Sequence, residues 1–239
     1  MTKGARLFNL RGHNTSRLES LTDGVFAIAI TLLVVSLEVP SSFDQLLNSM
    51  KGFFAFGVTL SALIGIWYAH YIFFRRYHLL DGYIIILNSF LLFVVLFYIY
   101  PLKFLAIILV NYGLMKSVLG IDIEVTTSIQ PSQWDQLMIV YGIGFLFIFL
   151  IFVLFHIHAY RKRKELSLND LEVFSTRASI QAHGISVIIA FVSILIVSIG
   201  GAKMAMWSGW IYALIGPLNW MHGIWIGKKI KNLKLHTTK

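Results

Sequence analysis

Long apolar stretches separated by short polar segments dominate the chain. Each stretch approaches the roughly 20 apolar residues that a helix needs to cross a bilayer. A lipid-embedded backbone must satisfy its own hydrogen bonds, which favours helices. The pattern therefore predicts an all-α membrane protein with six transmembrane spans, covering residues 17–39, 53–74, 83–110, 134–160, 180–200 and 204–226.

Prolines and polar residues set the limits of several spans. Pro40 is expected to end the first span, because proline has no N–H and disfavours helical geometry in the residue before it. Pro101 lies inside the third window, so either that helix kinks there or its membrane part ends near Tyr100. Residues 165–178 are polar enough to predict a linker and a short interfacial helix. The first apolar stretch is too long for a cleaved signal segment and is interpreted as a retained helix.

Composition agrees with a lipid environment. The hydrophobic fraction is 57% and the charged fraction 13%, against about 25% charged residues in ordinary soluble domains. The mean hydropathy is +0.76. Cysteine is absent, which excludes disulfides and thiolate metal sites.

The distribution of the net charge of +9 predicts the orientation in the membrane. Basic residues gather in short runs between the apolar stretches, which is typical of topology determinants and argues against nucleic-acid binding. Because these runs alternate with weakly charged loops, both termini are expected in the cytoplasm. The predicted organisation is a mobile basic arm, a six-helix membrane domain and a basic cytoplasmic tail, over residues 1–16, 17–227 and 228–239.

The first span begins with charged residues, which are costly at membrane depth and usually find a partner or water. Arg17 and Asp23 are six residues apart, so they do not share a helix face. Each is expected to pair with a group on another helix, for which the candidates are Trp67, His70 and Asn88. The alternative is that Arg17 and Asp23 are interfacial anchors.

Beyond Asp23, one helix face carries a stripe at spacings i, i+3, i+4 and i+7. It consists of Ile28, Thr31, Leu32 and Val35. A stripe of this kind meets lipid or other helices in most membrane proteins. The spacing alone therefore does not distinguish a pore lining from a packing face.

The start of this span resembles a known family signature. Arg-x-x-x-Leu-Thr-Asp, followed by Gly-Val-Phe-Ala-Ile-Ala-Ile-Thr-Leu-Leu, is similar to the R-x-x-x-F-S-D motif of the transmembrane protein 175 family. That family contains the endosomal and lysosomal potassium channel and shorter bacterial relatives. Leu21 and Thr22 replace the phenylalanine and serine of the motif. Secondary matches are Trp67, His70, Asn88 and Pro101, and the likeness covers roughly the first hundred residues.

The resemblance implies a homotetramer of six-helix subunits in which four first helices surround a central pore. Ile28 would form the apolar constriction, and the Thr31 hydroxyl would help to coordinate a dehydrating potassium ion. Leu32 and Val35 would continue the lining. An apolar ring of this kind favours potassium over sodium only modestly. This chain contains no Thr-Val-Gly-Tyr-Gly filter sequence.

The resemblance also assigns a structural role to the polar residues. They would form a network that packs the first helix against the second and third, made of Arg17, Thr22, Asp23, Trp67, His70 and Asn88. Glu38 lies near the outer end of the first span, and one hypothesis is that four copies of it raise the cation concentration at the pore mouth. The alternative is that Glu38 is simply an exposed, hydrated residue.

The expected partners are potassium ions, the lipid bilayer and further copies of the chain, in a multi-pass arrangement in the bacterial plasma membrane. No cofactor is expected, and no metal site beyond transient potassium near Ile28 and Thr31. The chain lacks the common catalytic motifs, so an enzyme is not expected. The alternative function is a secondary transporter or cation exchanger. Only glycine and proline interruptions of the spans, such as Gly200-Gly201 and Gly216-Pro217, point to it.

Overall fold

The computed structural model describes residues 8–35, 41–108 and 129–237. These ranges are almost entirely helical. The α-helices are α1 (Arg17–Val35), α2 (Phe43–Tyr77), α3 (Gly82–Ile108), α4 (Trp134–Arg161), α5 (Asp170–Gly200), α6 (Ala205–Trp210) and α7 (Ile215–Thr237). Short 3-10 turns cover Pro131–Gln133, Gly201–Met204 and Ile211–Leu214.

Within the described ranges, five helical stretches are long and apolar enough to cross a membrane. They are Arg17–Val35, Phe53–Tyr77, Gly82–Ile108, Pro131–Arg161 and Asp170–Lys231. The all-helical, membrane-type fold predicted from the sequence agrees with this architecture. The fifth stretch contains both the fifth and the sixth predicted spans.

The last stretch folds back on itself after α5. Gly201 has a φ of +61°, a backbone conformation that glycine adopts without steric cost, and the chain reverses there. The Ser193 hydroxyl lies 2.7 Å from that of Ser208, and His222 Nε2 lies 3.0 Å from Gln181 Oε1. Since residues later in α6 and α7 meet residues earlier in α5, these helices pack antiparallel.

The second and third predicted spans agree with apolar stretches of α2 and α3, at Phe53–Tyr77 and Gly82–Ile108. The helix α2 itself begins earlier than the predicted span, at Phe43. α3 continues as a helix through Pro101 to Ile108. The Tyr141 hydroxyl of α4 donates a hydrogen bond to the Pro101 carbonyl, which supports the backbone at the proline.

The prediction of a linker and a separate short helix over residues 165–178 is wrong for most of that segment. α5 starts at Asp170 and runs without interruption to Gly200. Asn169 and Glu172 form a reciprocal capping box, because the Asn169 side chain accepts from the Glu172 N–H and the Glu172 side chain accepts from the Asn169 N–H. Such a box satisfies the open amide groups at a helix start, so this polar segment becomes helical.

The sixth predicted span, residues 204–226, is not one continuous α-helix in the structure. It is divided into α6, a 3-10 turn and α7, and α7 continues to Thr237 through the predicted basic tail. Lysine is a good helix former, so the lysine-rich end of the chain extends α7 without a break.

The end of the predicted mobile arm is packed onto the helices. Phe8 is buried, with its ring edge-on to Tyr77 at a centroid distance of 5.4 Å. The N–H groups of Arg11 and Gly12 donate to the Arg75 carbonyl at 3.0 and 3.2 Å. Residues 8–16 are therefore a part of the fold.

The core lies between α2, α3 and α4, and α1 packs on α2 and α3. Aromatic side chains fill its centre, where the Phe73 and Phe155 rings are stacked with centroids 4.8 Å apart. The predicted stop at Pro40, the proposed acidic residue Glu38 and most of the connection at 111–133 lie outside the described residues.

Candidate functional site

α1 has two different faces. Thr22, Phe26, Ala29 and Leu33 are buried and recur at spacings i, i+4, i+7 and i+11, so they form the side that packs on α2 and α3. The predicted stripe lies on the opposite side, and none of its members is buried. The exposed fractions are 57% for Ile28, 37% for Leu32 and 71% for Val35, and Thr31 is also exposed.

An exposed apolar face of this kind needs lipid or another protein surface to cover it. Among the described elements, only α2 and α3 pack against α1, and they cover the other side. The stripe is thus available to further copies of the chain.

Thr31 supplies oxygen to this apolar face. Its hydroxyl donates to the Ala27 carbonyl one turn earlier at 2.8 Å. Because that bond uses the hydroxyl proton, the oxygen lone pairs stay free to accept. The group can therefore present partial negative charge to a cation beside the stripe.

A buried polar triad joins α1, α2 and α3. Asn88 Nδ2 donates to Thr22 Oγ1 at 2.9 Å, and Asn88 Oδ1 lies 2.8 Å from His70 Nε2. An amide oxygen only accepts, so the His70 tautomer in this arrangement carries its proton on Nε2. The Thr22 hydroxyl donates to the Leu18 carbonyl at 2.9 Å. All three side chains are buried, and each of these bonds satisfies a group that would be costly to leave unpaired.

A second pair lies beside the triad at the surface. Trp67 Nε1 donates to Asp23 Oδ1 at 2.8 Å. The Trp67 ring stacks on Tyr71 with a centroid distance of 5.7 Å. The Asp23 carboxylate is exposed in the single chain, so this bond fixes it while leaving it open to solvent or to a neighbouring copy.

The structure brings five of the six predicted network residues into these two groups and leaves Arg17 apart. Arg17 is exposed and forms no hydrogen bond or ion pair with the described part of the chain. Glu19 takes a role that the sequence reasoning missed, since its carboxylate accepts from the Ser16 N–H at 2.8 Å and the Ser16 hydroxyl at 2.7 Å. The Ser-x-x-Glu spacing is a capping-box signal that could have revealed it.

Sequence patterns also gave no sign of a part-buried ion pair between Arg11 and Glu172. The Arg11 guanidinium donates to both carboxylate oxygens of Glu172, at 3.1 and 2.9 Å. It also donates to the carbonyls of Leu166 and Asn9, both at 3.0 Å, and the Glu172 side chain is fully buried. The pair ties the segment before α1 to the start of α5. Its two halves are too far apart in sequence for any local pattern to connect them.

In the described ranges, no group of three or more histidine, aspartate or glutamate side chains could hold a metal ion. His156 and His158, two residues apart on α4, have different partners. His156 Nδ1 bonds to the Phe152 carbonyl at 2.8 Å, whereas His158 Nε2 lies 2.8 Å from the Asp81 carboxylate.

The comparisons with known proteins agree with the resemblance at α1. The family model described as "Endosomal/lysosomal potassium channel TMEM175" matches residues 17–98, which include α1 and the polar triad. A potassium channel from Marivirga tractuosa is 38% identical over 230 residues, which are 95% of this chain and 93% of that protein. The chain belongs to the TMEM175 family.

Other TMEM175 relatives extend the likeness. The crystal structure of a variant of the potassium channel MtTMEM175, in complex with a nanobody–MBP fusion protein, has a TM-score of 0.82 at 36% identity. The match covers 95% of this chain and 99% of that one. A potassium channel from Chamaesiphon minutus is 32% identical over 105 residues, which are 41% of this chain and 52% of that protein.

The family prediction from the sequence is confirmed. The likeness reaches further than the first hundred residues on which that prediction was based, since it includes α4 to α7. With its apolar helices, this family member is a multi-pass membrane protein.

Proposed function

We propose that this chain is the subunit of a potassium channel in the bacterial plasma membrane, with the α1 stripe lining its pore. The observation that carries the proposal is the two-faced α1, which packs on its own subunit through one side and leaves the stripe uncovered. The relatives named as potassium channels support the same function.

Several copies are needed, because one exposed helix face cannot enclose a path. We propose a homotetramer in which four α1 helices meet around the axis, as the family resemblance implies. The antiparallel packing of α6 and α7 on α5 supports a sixth crossing after the fifth. With six crossings and basic runs at alternating loops, both termini lie in the cytoplasm.

In this arrangement Ile28 forms the narrowest ring. An ion passing four isoleucine side chains sheds part of its water, and that dehydration costs less for potassium than for sodium. The Thr31 oxygen, one turn further on, partly replaces the lost water. Leu32 and Val35 continue the apolar lining, so selectivity for potassium is modest.

The polar triad and the Asp23–Trp67 pair position α1 against α2 and α3. An apolar pore ring works only if its members stay at a fixed distance from the axis. Hydrogen bonds in a buried, low-dielectric setting supply that rigidity. These residues therefore act on conduction through the placement of Ile28.

The test is potassium and sodium flux through purified protein in liposomes, with Ile28→Asn as the variant. A polar side chain in the ring lowers the dehydration penalty, so flux should rise several-fold and the preference for potassium should fall. Val34→Ala is the matched control. Val34 is also exposed, but it lies about 120° around α1 from Ile28. Unchanged flux and selectivity in Ile28→Asn would remove Ile28 from the constriction.

The alternative function is a secondary transporter or cation exchanger. The division of the last apolar stretch into α6, a 3-10 turn and α7 favours it, since interrupted helices form substrate sites in transporters. The liposome assay separates the two functions. Passive flux along the potassium gradient indicates a channel, whereas strict stoichiometric exchange against a second ion indicates a transporter.

A further inference from the structure

Two arginines converge on one tyrosine where α4 ends. The Arg163 guanidinium lies 4.6 Å from the centre of the Tyr160 ring, and the Arg177 guanidinium lies 4.9 Å from the same point. Arg177 also donates to the Tyr160 hydroxyl, and Arg163 donates to the Tyr160 carbonyl at 3.1 Å. Tyr160, Arg163 and Arg177 form the Tyr160 cluster.

The charge of this cluster is not balanced within the described part of the chain. Arg163 and Arg177 form no ion pair there, whereas the neighbouring Lys162 is paired with Asp81 and Glu165 at 3.3 and 3.1 Å. Two guanidinium groups held at one ring repel each other, so an anion close to both would be stabilised by both. Guanidinium groups bind phosphate oxygens through paired N–H donors.

A third cation, on another helix, lies at the same end of α5 as Arg177. Lys229 of α7 lies 5.7 Å from the centre of the Phe174 ring and 4.6 Å from that of Trp225. Phe174 is one turn before Arg177 on α5. Cations and aromatic rings thus occur together near the start of α5, which is the composition that membrane proteins show at the headgroup level.

An apolar strip leads away from the cluster along α5. Ile188 and Leu195 follow Arg177 at spacings of 11 and 18 residues, which return to the same side of a helix. They are 64% and 43% exposed, respectively. A charged head with an apolar strip below it matches a phospholipid better than a free phosphate ion.

We propose that Arg163 and Arg177, held at Tyr160, bind the phosphate of an anionic phospholipid whose acyl chain lies along Ile188 and Leu195. The inference depends on the proposed placement of the helices in a bilayer but not on ion conduction. Anionic lipids are enriched at the cytoplasmic surface, where the proposed topology puts the end of α4.

The experiment is a titration of the purified full chain in detergent with phosphatidylglycerol or phosphatidylcholine, with bound lipid counted by native mass spectrometry. The test variant is R163Q/R177Q. The matched control R161Q/K164Q removes two exposed charges from the end of α4 and the turn after it, neither of which stacks on or donates to Tyr160. Phosphatidylglycerol affinity should fall about tenfold in the test variant, because charge-assisted hydrogen bonds are lost. It should fall less than about twofold in the control.

Equal losses in both double variants would overturn the proposal, because they would show general charge attraction. Equal binding of the two lipids by the unchanged chain, or displacement of phosphatidylglycerol by millimolar inorganic phosphate, would also overturn it. Arg177→Lys keeps the charge and removes the planar fork, so an intermediate loss is expected even if R163Q/R177Q does not fold. Liposome flux is measured separately, so absent lipid binding with normal flux would reject this site and leave the proposed channel standing.

Discussion

Asn88 on α3 connects α1 and α2 through hydrogen bonds of its side chain. Its amide contacts Thr22 on α1 and His70 on α2, and all three side chains are buried. Asn88→Ala leaves the His70 donor without its acceptor, so stability should fall by about 1–3 kcal/mol. Thermal unfolding of the purified protein measures the effect.

The matched control for this prediction is Ser89→Ala. Ser89 is the next residue on α3, but it is exposed and its hydroxyl bonds only to the Ile85 carbonyl of its own helix. Its replacement should change stability by less than about 0.5 kcal/mol. Equal shifts in the two variants would show that the buried triad contributes nothing specific.

The contacts of the Asp81 carboxylate should make the stability of the fold depend on pH. Burial raises the pKa of its carboxyl group, but hydrogen bonds from His158, the Ile84 N–H and Lys162 outweigh burial and hold the pKa below its ordinary value. A lowered pKa stabilises the fold above the unfolded-state pKa, and this contribution is lost as the pH falls through the folded-state pKa. The unchanged protein should therefore lose more stability between about pH 5 and pH 3 than Asp81→Asn.

Unfolding midpoints across that pH range provide the measurement, with Glu165→Gln as the control. Like Asp81, Glu165 contacts Lys162, but its side chain is 71% exposed. Asp81 also accepts from the Ile84 N–H at the start of α3, and Glu165 has no such bond to a helix start in the described part of the chain. Parallel curves for the unchanged protein and Asp81→Asn would contradict the assigned role of this carboxylate.

At the scale of elements, Gly144 sets the approach of α4 to α3. A Cβ atom there would lie 2.0 Å from a ring carbon of Tyr98, and the Tyr98 hydroxyl is held by the Tyr141 carbonyl. Gly144→Ala forces the helices apart and should cost about 1–3 kcal/mol in thermal unfolding. At Gly184, where a Cβ meets nothing within 4 Å, the same change should gain up to about 1 kcal/mol. A gain at both positions would contradict the close contact.

The elements also show what the sequence could predict. The apolar stretches predicted most helices, because burial in lipid leaves a strong local signal. The polarity of residues 165–178, which include Glu172, predicts a linker and a short interfacial helix in place of the start of α5. The partner of Glu172, Arg11, lies 161 residues earlier, and hydropathy does not report such pairing. The Asn169–Glu172 capping spacing was the one local signal for that start. The cost of charge in a membrane helix made His70 and Asn88 candidate partners of Arg17 and Asp23, but they bind each other and Thr22, which only the family resemblance included.

At the scale of the whole molecule, the uncovered stripe of α1 predicts the assembly. Four copies would give a particle of four times the chain mass of 27.2 kDa, apart from bound detergent and lipid. The natural chain has no cysteine, so Ile28→Cys places a single thiol at the proposed axis. Oxidation should link neighbouring copies and give dimers on a denaturing gel.

Ile188→Cys is the control for this cross-link. That residue is exposed on α5, away from α1, and should remain monomeric on the gel. Equal cross-linking at both positions would indicate random collision, and no cross-linking at residue 28 together with a monomeric mass would reject the shared axis.

The Arg11–Glu172 pair makes the beginning of the chain indispensable to the helices that follow. A protein shortened to start at Arg17 would keep every apolar span, yet it would remove the Arg11 guanidinium and the Asn9 N–H that bind the Glu172 carboxylate. Removing the partner of a carboxylate in such an ion pair destabilises the fold. Trimming these leading residues would thus loosen the entry to α5, far along the chain from the cut.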